Sequence, residues 1–263
     1  MDLKIAGNAA VVTASSSGLG KASARALAAE GVDIVVNGRD EDRLAEAVKE
    51  IQADATGSVV GQQGDIAVRE DIEAVVQRCI DEFGRLDHLV TSAGGPASKS
   101  TLETTDEDWY DAFDMLVMSV VRAVRAGAPH LRADGGGSIV NITSMSVKEP
   151  SSTLVLSASV RMAVAGLEKT LSRELAPDVR SNMVLPRSIE TERIRSLGEA
   201  AIERGEYDSY DEVLADRAGD SPLGRLGSPD ELGDLVAFLC SDRASYLNGT
   251  AISVDGGVSR STL

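Results

Sequence analysis

Short runs of apolar and β-branched residues alternate along the chain with longer stretches in which apolar residues recur at helical spacing. The short runs predict strands at residues 9–13, 34–37, 58–60, 88–91, 138–143, 180–185 and 251–254. The longer stretches predict helices at residues 19–30, 40–53, 69–82, 106–127, 153–176 and 229–241. This alternation is typical of an α/β protein with a parallel sheet that is covered by helices on both faces.

Residues 187–224 do not fit the alternation. The segment is charged, directly follows a predicted strand and contains Gly198, Gly205, Gly219 and Gly224. In a parallel sheet, a segment at that position lies over the crevice at the carboxyl ends of the strands. We therefore expect a lid-like insertion over a binding site or, alternatively, a solvated surface insertion.

Composition limits the class of protein. The 263 residues are 43% apolar and show no compositional break, which predicts a single domain over residues 1–263. Cys79 and Cys240 stand in neither a CxxC pair nor a metal-ligand spacing, so no disulfide and no metal site are predicted. Because no signal-peptide pattern and no apolar run of bilayer length is apparent, we expect a cytoplasmic protein without a membrane partner.

The formal charge of −16 arises from 42 acidic and 26 basic residues. Such a charge argues against a nucleic-acid partner, because phosphate backbones bind basic surfaces. It has two interpretations at this stage. One is adaptation to high salt, which screens the repulsion between like charges, and the other is an acidic but ordinary cytoplasmic enzyme.

A glycine-rich turn follows the first predicted strand. Residues 13–20 read TASSSGLG and open a helix, so backbone N–H groups and the positive end of the helix dipole face a common point. This arrangement predicts a pyrophosphate site, for which the alternative is a structural turn without a ligand. Gly18 and Gly20 would let the backbone approach the phosphates, and Ser15 and Ser17 would add hydroxyl donors. The cofactor-binding residues predicted here are Ser15, Ser17, Gly18, Leu19 and Gly20.

The second predicted strand ends in Asn37, Gly38 and Arg39. Dinucleotide-binding folds that prefer NAD place a carboxylate at this point, where it binds the ribose 2′-hydroxyl. Without that carboxylate, and with a guanidinium at position 39, NADP(H) is favoured over NAD(H). The alternative is that Arg39 only begins a solvated helix.

From about residue 5 to residue 257 the chain resembles the short-chain dehydrogenase/reductase family. The resemblance rests on the turn at residues 13–20 and on matching segments at residues 65–66, 93–94, 139–144, 225–231 and 254–257. It implies a seven-stranded, doubly wound, Rossmann-type sheet. It also implies that Asp65 and Ile66 lie near the adenine, and that Thr191 lies near the phosphates and the carboxamide. The further cofactor-binding positions implied by the resemblance are Asp65, Ile66, Ser92, Ala93, Gly94, Arg161, Pro186, Ile189 and Thr191.

The catalytic positions depart from the family pattern, which is a tetrad of Asn, Ser, Tyr and Lys with the last two spaced as YxxxK. Ser144 matches the serine, but Ser157 stands at the tyrosine position, Arg161 at the lysine position and Leu116 at the asparagine position. No other register restores the motif. Since serine is a poor proton donor at neutral pH and arginine keeps its proton, proton transfer must follow another route. The predicted catalytic residues are Ser144, which polarises the substrate oxygen, Arg161, which holds the nicotinamide ribose, and Ser157.

Four routes for the proton remain open: Ser157 itself, a water held between Ser144 and Ser157, an acidic group of the substrate, and Tyr207 or Tyr210 brought over by the lid. His88 and His130 have no partner at catalytic spacing. Arginines at the beginning of the lid could bind an anionic substrate or form an exposed charged helix. These arginines are Arg187, Arg193 and Arg195.

The sequence therefore predicts an NADP(H)-dependent oxidoreductase that acts on a small carbonyl or alcohol substrate through a non-standard proton-transfer site. The alternative is a catalytically impaired NADP(H)-binding protein that works as a sensor or as an oligomer partner. In the family, the helices that correspond to 106–127 and 153–176 pair between subunits, which implies a homo-oligomer, either a dimer or a homotetramer.

Overall fold

Seven parallel strands form one sheet. A computed structural model describes residues 1–133 and 135–261. The strands are β1 (Ala9–Val12), β2 (Asp33–Gly38), β3 (Val59–Gln63), β4 (His88–Thr91), β5 (Gly137–Ile142), β6 (Val179–Pro186) and β7 (Ala251–Val254). Their order is β3-β2-β1-β4-β5-β6-β7, and every neighbouring pair is parallel. Because the order reverses between β1 and β4, a crevice opens at the carboxyl ends of these strands. The predicted α/β fold, a doubly wound Rossmann-type sheet in a single domain, is confirmed.

Helices cover both faces of this sheet. They are α1 (Gly18–Ala29), α2 (Glu41–Asp54), α3 (Arg69–Phe83), α4 (Asp106–Phe113), α5 (Ser119–Leu131), α6 (Val155–Glu174), α7 (Glu192–Glu203), α8 (Tyr210–Asp220) and α9 (Pro229–Cys240). In residues 1–133 and 135–261, no helix is long and apolar enough to cross a membrane. The same residues contain no cluster of three or more His, Cys, Asp or Glu side chains suited to a metal ion.

The core has two layers because side chains alternate across the central strand. All four residues of β1 are fully buried. Ala10 and Val12 belong to the cluster that contains apolar residues of α1, α2 and α9. Ala9 and Val11 belong to the cluster that contains residues of α3, α5 and α6. The sequence of a strand that is buried on both faces is apolar at every position, and this pattern predicts β1 clearly.

The single helix predicted at residues 106–127 is wrong in detail. The structure contains α4, a π-helical turn at Asp114–Met118 and then α5. In this turn, the backbone N–H of Ser119 donates to Asp114 rather than to Met115. The hydroxyl of Ser119 donates to the carbonyl of Met115 instead, at 2.6 Å, and so satisfies it. The π-turn inserts one residue, which shifts the side chains that follow around the helix axis.

The segment at residues 187–224 is not irregular throughout, because it contains α7 and α8. Charged residues obscure its pattern, since the buried apolar side chains of the two helices are only Ile194, Ala201 and Val213. Gly198 lies inside α7, where an added Cβ would be 3.0 Å from the ring of Tyr210. This glycine permits the close approach of α7 and α8 rather than ending a helix.

A buried carboxyl group lies beneath the crevice, where α6 packs on β5 and β6. Glu168 is 3% exposed, and its Oε2 accepts hydrogen bonds from Asn141 Nδ2 and, at 2.9 Å, from Ser181 Oγ. Asn141 Oδ1 in turn accepts from Thr91 Oγ1 at 2.5 Å. Burial outweighs these hydrogen bonds and raises the pKa of Glu168 to about 7. Three strands of the sheet thus meet at a carboxyl group that titrates near neutral pH.

We expect the free energy of unfolding to fall between about pH 5 and about pH 7. In this interval the folded chain keeps the Glu168 proton, whereas an unfolded glutamate with its ordinary pKa of 4.5 loses it, so the folded state binds more protons. The free energy of unfolding should fall by about 3 kcal/mol in total. The fall should be complete at a pH above the pKa of Glu168 in the folded state. Urea unfolding of Glu168→Gln over this pH range should show a smaller loss. Glu174→Gln, which changes an exposed carboxylate at the end of α6, should behave like the wild type. Equal pH dependence in all three proteins would refute this assignment.

Candidate active site

A cavity of about 850 Å³ occupies the crevice at the carboxyl ends of the strands. Its walls come from the turn after β1, the end of β2, the loops after β3 and β4, the end of β5, the first two turns of α6 and the chain after β6. The helices α7 and α8 complete it on the outer side. Its volume lies in the range of small-molecule and cofactor sites.

The turn after β1 presents backbone N–H groups to this cavity. Ser17, Gly18 and Leu19 line it, and the side chain of Ser17 forms no capping hydrogen bond to α1. The amides of the first helical turn are therefore open to an anion. Gly18 has a φ of 56°, and a Cβ on Gly20 would lie 2.6 Å from the carbonyl oxygen of Ala14. Gly20 does not line the cavity, so the absence of a side chain at this position serves the tight turn rather than contact with a ligand.

The expectation that Ser15 donates to a phosphate is corrected by the structure. Ser15 is fully buried, and its hydroxyl donates to the carbonyl of Val12 at 2.6 Å and accepts from the N–H of Asn37 at 2.9 Å. The side chain thus joins the ends of β1 and β2 and does not reach the cavity. Ser16 lines the cavity instead, opposite Gly38, where a Cβ would lie 2.6 Å from the Ser16 hydroxyl.

Asn37 connects three segments at the edge of the crevice. Its Oδ1 accepts from the N–H of Ala14 at 3.0 Å. Its Nδ2 donates to the carbonyls of Gln62 and Gly64 at 3.2 and 3.1 Å. Since the side chain is 1% exposed and uses both ends of its amide, it fixes the turn after β1 relative to the ends of β2 and β3.

Two arginines lie near the end of β2, at the same side of the cavity. Arg39 is largely exposed, and its Nη1 is 3.6 Å from Asp65 Oδ2. Arg43, in the first turn of α2, donates from Nη2 to both carboxylate oxygens of Glu192 at 2.9 Å. Both arginines line the cavity. Arg43 was missed in the sequence, because its position in the first turn of α2 does not by itself show that it faces the cavity.

The other cofactor positions implied by the resemblance also line this cavity. They are Asp65, Ile66, Ser92, Ala93, Gly94, Pro186, Ile189 and Thr191. Ser92 is held by Thr13, whose hydroxyl accepts from the N–H of Ser92 at 2.9 Å and donates to its carbonyl at 2.8 Å. Thr191 is the N-cap of α7, where its hydroxyl accepts from the N–H of Ile194 at 3.4 Å. The contacts of Thr13 hold the ends of β1 and β4 together, and the cap at Thr191 fixes the beginning of α7.

Ser144, Ser157 and Arg161 line the cavity, and the part that they line is called its inner end below. Ser144 follows β5, and its Oγ accepts from the N–H of Ser146 at 3.1 Å. Ser157 and Arg161 are one turn apart on α6. Arg161 donates from Nε to Ser157 Oγ at 3.3 Å and from Nη2 to the carbonyl of Gly94 at 2.9 Å. Because Ser157 Oγ accepts a hydrogen bond from the guanidinium, its own hydroxyl proton remains available to a partner in the cavity.

Arg161 is a buried cation. It is 7% exposed, and burial, assisted by the charge of Arg193, lowers its pKa to about 10. The guanidinium therefore remains protonated at neutral pH. It can donate to hydroxyl or carboxylate oxygens, but it does not release a proton to the reaction.

The two lid tyrosines are engaged in other contacts. Tyr207 lines the cavity, but its hydroxyl donates to Asp216 Oδ2 at 2.6 Å, and this hydrogen bond raises the pKa of Tyr207. Tyr210 packs under the guanidinium of Arg195, which lies 4.9 Å from the ring centre. Neither contact favours a phenol as proton donor in this arrangement.

Leu116, at the asparagine position of the family pattern, does not reach the cavity. It is 2% exposed within the core, and the neighbouring Met115 lines the cavity instead. The π-turn that contains both residues explains this difference of one position. His88, in contrast, is a structural residue as expected. It is hydrogen-bonded to Ser138 and Asn8 at the opposite end of the sheet, and burial lowers its pKa.

The three arginines at the beginning of the lid have different environments. Arg187 forms an ion pair with Glu149, with 3.0 Å between Nη1 and Oε2. Arg195 is the exposed residue that packs on Tyr210. Arg193 lines the cavity and donates from Nη2 to the carbonyl of Pro96 at 2.7 Å. Only part of the predicted arginine group therefore faces the cavity.

Comparison with known proteins agrees with this geometry. A family model described as enoyl-(acyl carrier protein) reductase matches residues 13–259. An uncharacterised oxidoreductase of Methylorubrum extorquens is 35% identical over 256 residues, which cover 97% of this chain and 99% of the relative. Human dehydrogenase/reductase SDR family member 4 is 34% identical over 255 residues, which cover 96% of this chain and 88% of the relative.

Among solved structures, L-sorbose reductase from Gluconobacter frateurii, complexed with NADPH and L-sorbose, has a TM-score of 0.93 at 35% identity. The match covers 99% of this chain and 100% of that reductase. The sheet order, the turn after β1 and the full-length similarity to named reductases and dehydrogenases lead to one conclusion: this chain is an oxidoreductase of the short-chain dehydrogenase/reductase family.

Proposed function

We propose that the protein uses NADP(H) to interconvert a carbonyl and an alcohol, with proton transfer that does not involve a tyrosine. The observation that carries this proposal is that one cavity joins the N-terminus of α1, the two arginines after β2 and the face formed by Ser144, Ser157 and Arg161. The first two features suit the phosphates of a dinucleotide, and the third suits a reacting oxygen.

The residues present fit a phosphorylated dinucleotide. The tight turn at Gly20 leaves no space for a Cβ, and the amides after Ser17 are open to an anion. At the end of β2, Arg39 and Arg43 offer guanidinium groups where an NAD-preferring fold would offer a carboxylate. The similar L-sorbose reductase was solved with NADPH, which supports the same choice here.

Within this site, each side chain has a separate task. When bound, NADPH supplies a hydride to the carbonyl carbon, and the carbonyl oxygen takes up one proton from the site. Ser144 donates a hydrogen bond to that oxygen and stabilises its developing charge. Arg161 donates to the ribose hydroxyls of the cofactor and keeps Ser157 oriented through Nε. Ser157, or a water held between Ser157 and Ser144, delivers the proton, which bulk water then replaces.

The rate should be low for the family but above zero. Loss of a positioned general acid costs about 10²- to 10⁴-fold in rate, or roughly 3–5 kcal/mol of barrier. Orientation of the two reactants remains, and it is worth about 7–11 kcal/mol where the geometry is good. The second candidate function, a catalytically impaired NADP(H)-binding protein, is favoured by one observation: neither Ser157 nor the permanently charged Arg161 is a good proton relay.

Self-association is part of the proposal. Tyr110 and Phe113 on α4 and Met162 on α6 are 71%, 45% and 52% exposed. These large apolar side chains lie on α4 and α6, two helices that pack against each other. A homodimer or homotetramer in the cytoplasm would cover them.

We expect the purified protein to oxidise NADPH, followed by absorbance, in the presence of some members of a panel of ketones, aldehydes and keto acids. Ser144→Ala should lower kcat by roughly 100-fold, because one hydrogen bond to the developing oxyanion is lost. NADPH binding, followed by fluorescence, should remain unchanged in this variant. Saturable NADPH binding without turnover on any substrate would favour the binding-protein alternative, and full turnover in Ser144→Ala would remove this serine from the mechanism.

We expect Arg39→Ala and Arg43→Ala each to raise the Kd for NADPH by roughly 10- to 100-fold, since each removes a charge-assisted hydrogen bond to the 2′-phosphate. The Kd for NADH should change by less than about twofold, because NADH has no such phosphate. Arg78→Ala is the matched control, since Arg78 pairs with Glu82 on α3 and does not line the cavity. Equal weakening of NADPH and NADH would contradict the assignment of these arginines to the 2′-phosphate.

A further inference from the structure

Two arginines that line the cavity, Arg161 and Arg193, differ from most of the other arginines that line it. Arg39, Arg43, Arg187 and Arg204 form ion pairs with carboxylates, whereas Arg217 on α8 forms none among the described residues. Arg161 and Arg193 have no carboxylate partner among residues 1–133 and 135–261. In a chain with 42 acidic residues, the lack of a carboxylate near two partly or fully buried guanidiniums is unexpected.

The two guanidiniums meet at one short loop. Arg161 reaches the carbonyl of Gly94 from α6, and Arg193 reaches the carbonyl of Pro96 from α7. Gly95 lies between these contacts, and a Cβ there would be 2.7 Å from Arg193 Nε. The glycine thus lets Arg193 lie across the loop, towards the inner end of the cavity.

Both guanidiniums retain unused donors. A guanidinium has five N–H groups in a planar fork. Arg161 Nη1 and Arg193 Nε and Nη1 have no acceptor within the described part of the chain. Burial lowers the pKa of both arginines, and the two positive charges repel each other. An anion placed between them would offset the desolvation of both cations. It would also accept hydrogen bonds from the N–H groups that have no other acceptor.

The phosphates of the proposed cofactor already have other donors. The pyrophosphate would bind the amides after Ser17, and the 2′-phosphate would bind Arg39 and Arg43. Arg193 lies instead beside Arg161, because both donate to the loop after β4, and Arg161 also donates to Ser157. An anion at Arg193 would therefore belong to the substrate and lie close to its reacting carbonyl.

Resting on the proposed function, we infer that Arg193, beside the charge of Arg161, binds a carboxylate of the substrate, so that the preferred substrates are keto acids and the corresponding hydroxy acids. The planar fork of a guanidinium matches the two oxygens of a carboxylate. Arg193 is then the residue that selects anionic over neutral carbonyl compounds, and its position on α7 makes the lid part of substrate recognition.

The test uses pairs of compounds that differ in charge. Oxamate carries a carboxylate beside a carbonyl, and oxamide is its neutral analogue. Calorimetric titration of the full chain, with and without saturating NADP⁺, should detect oxamate binding that is at least tenfold tighter than oxamide binding. Arg193→Gln should abolish that preference, whereas Arg195→Gln should retain it, because Arg195 is exposed on the same helix and packs on Tyr210.

A second measurement uses turnover. Wild type and Arg195→Gln should reduce benzoylformate with a kcat/KM well above that for its methyl ester. Arg193→Gln should lower kcat/KM for the acid by roughly 10- to 100-fold, the loss expected for a charge-assisted pair, and leave the ester within about twofold.

Three outcomes would overturn the inference. The first is the absence of oxamate binding to the wild type, and the second is equal oxamate affinity in wild type and Arg193→Gln. The third is an Arg193→Gln variant whose main defect is weaker NADPH binding, because the anion would then be a cofactor phosphate. A protein that prefers oxamate to oxamide as expected but shows no turnover would support the carboxylate site and refute the proposed activity. Failure of the carboxylate site and failure of the proposed activity can therefore be told apart.

Discussion

The amide of Asn37 is the constraint on which the crevice depends. It accepts a hydrogen bond from the turn after β1 and donates to one carbonyl near the end of β3 and to another just after it, so a single buried side chain sets the positions of three segments. A carboxylate at position 37 could accept the first hydrogen bond but would face the other two carbonyls without a donor. An amide at position 37 is therefore required by local packing. Neither of the two residues that follow it, Gly38 and Arg39, supplies a carboxylate at the end of β2.

The inner end of the cavity follows a different principle. There, the resemblance places the guanidinium of Arg161 at the family's lysine position and the hydroxyl of Ser157 at its tyrosine position. Arg161 compensates for part of this change, because it anchors the loop after β4 and orients Ser157 at the same time. A site of this kind retains strong electrostatic positioning and has weak acid–base groups. This combination suits a substrate that brings its own charge, which connects the altered tetrad to the unpaired Arg193 in the lid.

The sequence predicted the sheet and most helices well, because buried strands and amphipathic helices leave a clear apolar pattern. Most of the site residues that it identified, largely through the resemblance, line the cavity, since the ends of parallel strands must converge. It failed where the position of a side chain depends on its local backbone. Ser15 turns inwards between β1 and β2, and the π-turn moves Met115 rather than Leu116 to the cavity. Arg43 was missed because its approach to the cavity requires the orientation of α2 to be known.

The central claim is that this chain positions NADPH for hydride transfer although no tyrosine occupies the family's catalytic position. The most direct test is incubation with NADPH that carries deuterium at C4, with each of the two C4 epimers used separately, and with a keto acid as acceptor. Mass spectrometry of the alcohol product should show one deuterium from one epimer and none from the other, because a fixed site presents a single face of the nicotinamide. Absence of deuterium transfer from either epimer, with NADPH bound, would contradict the account.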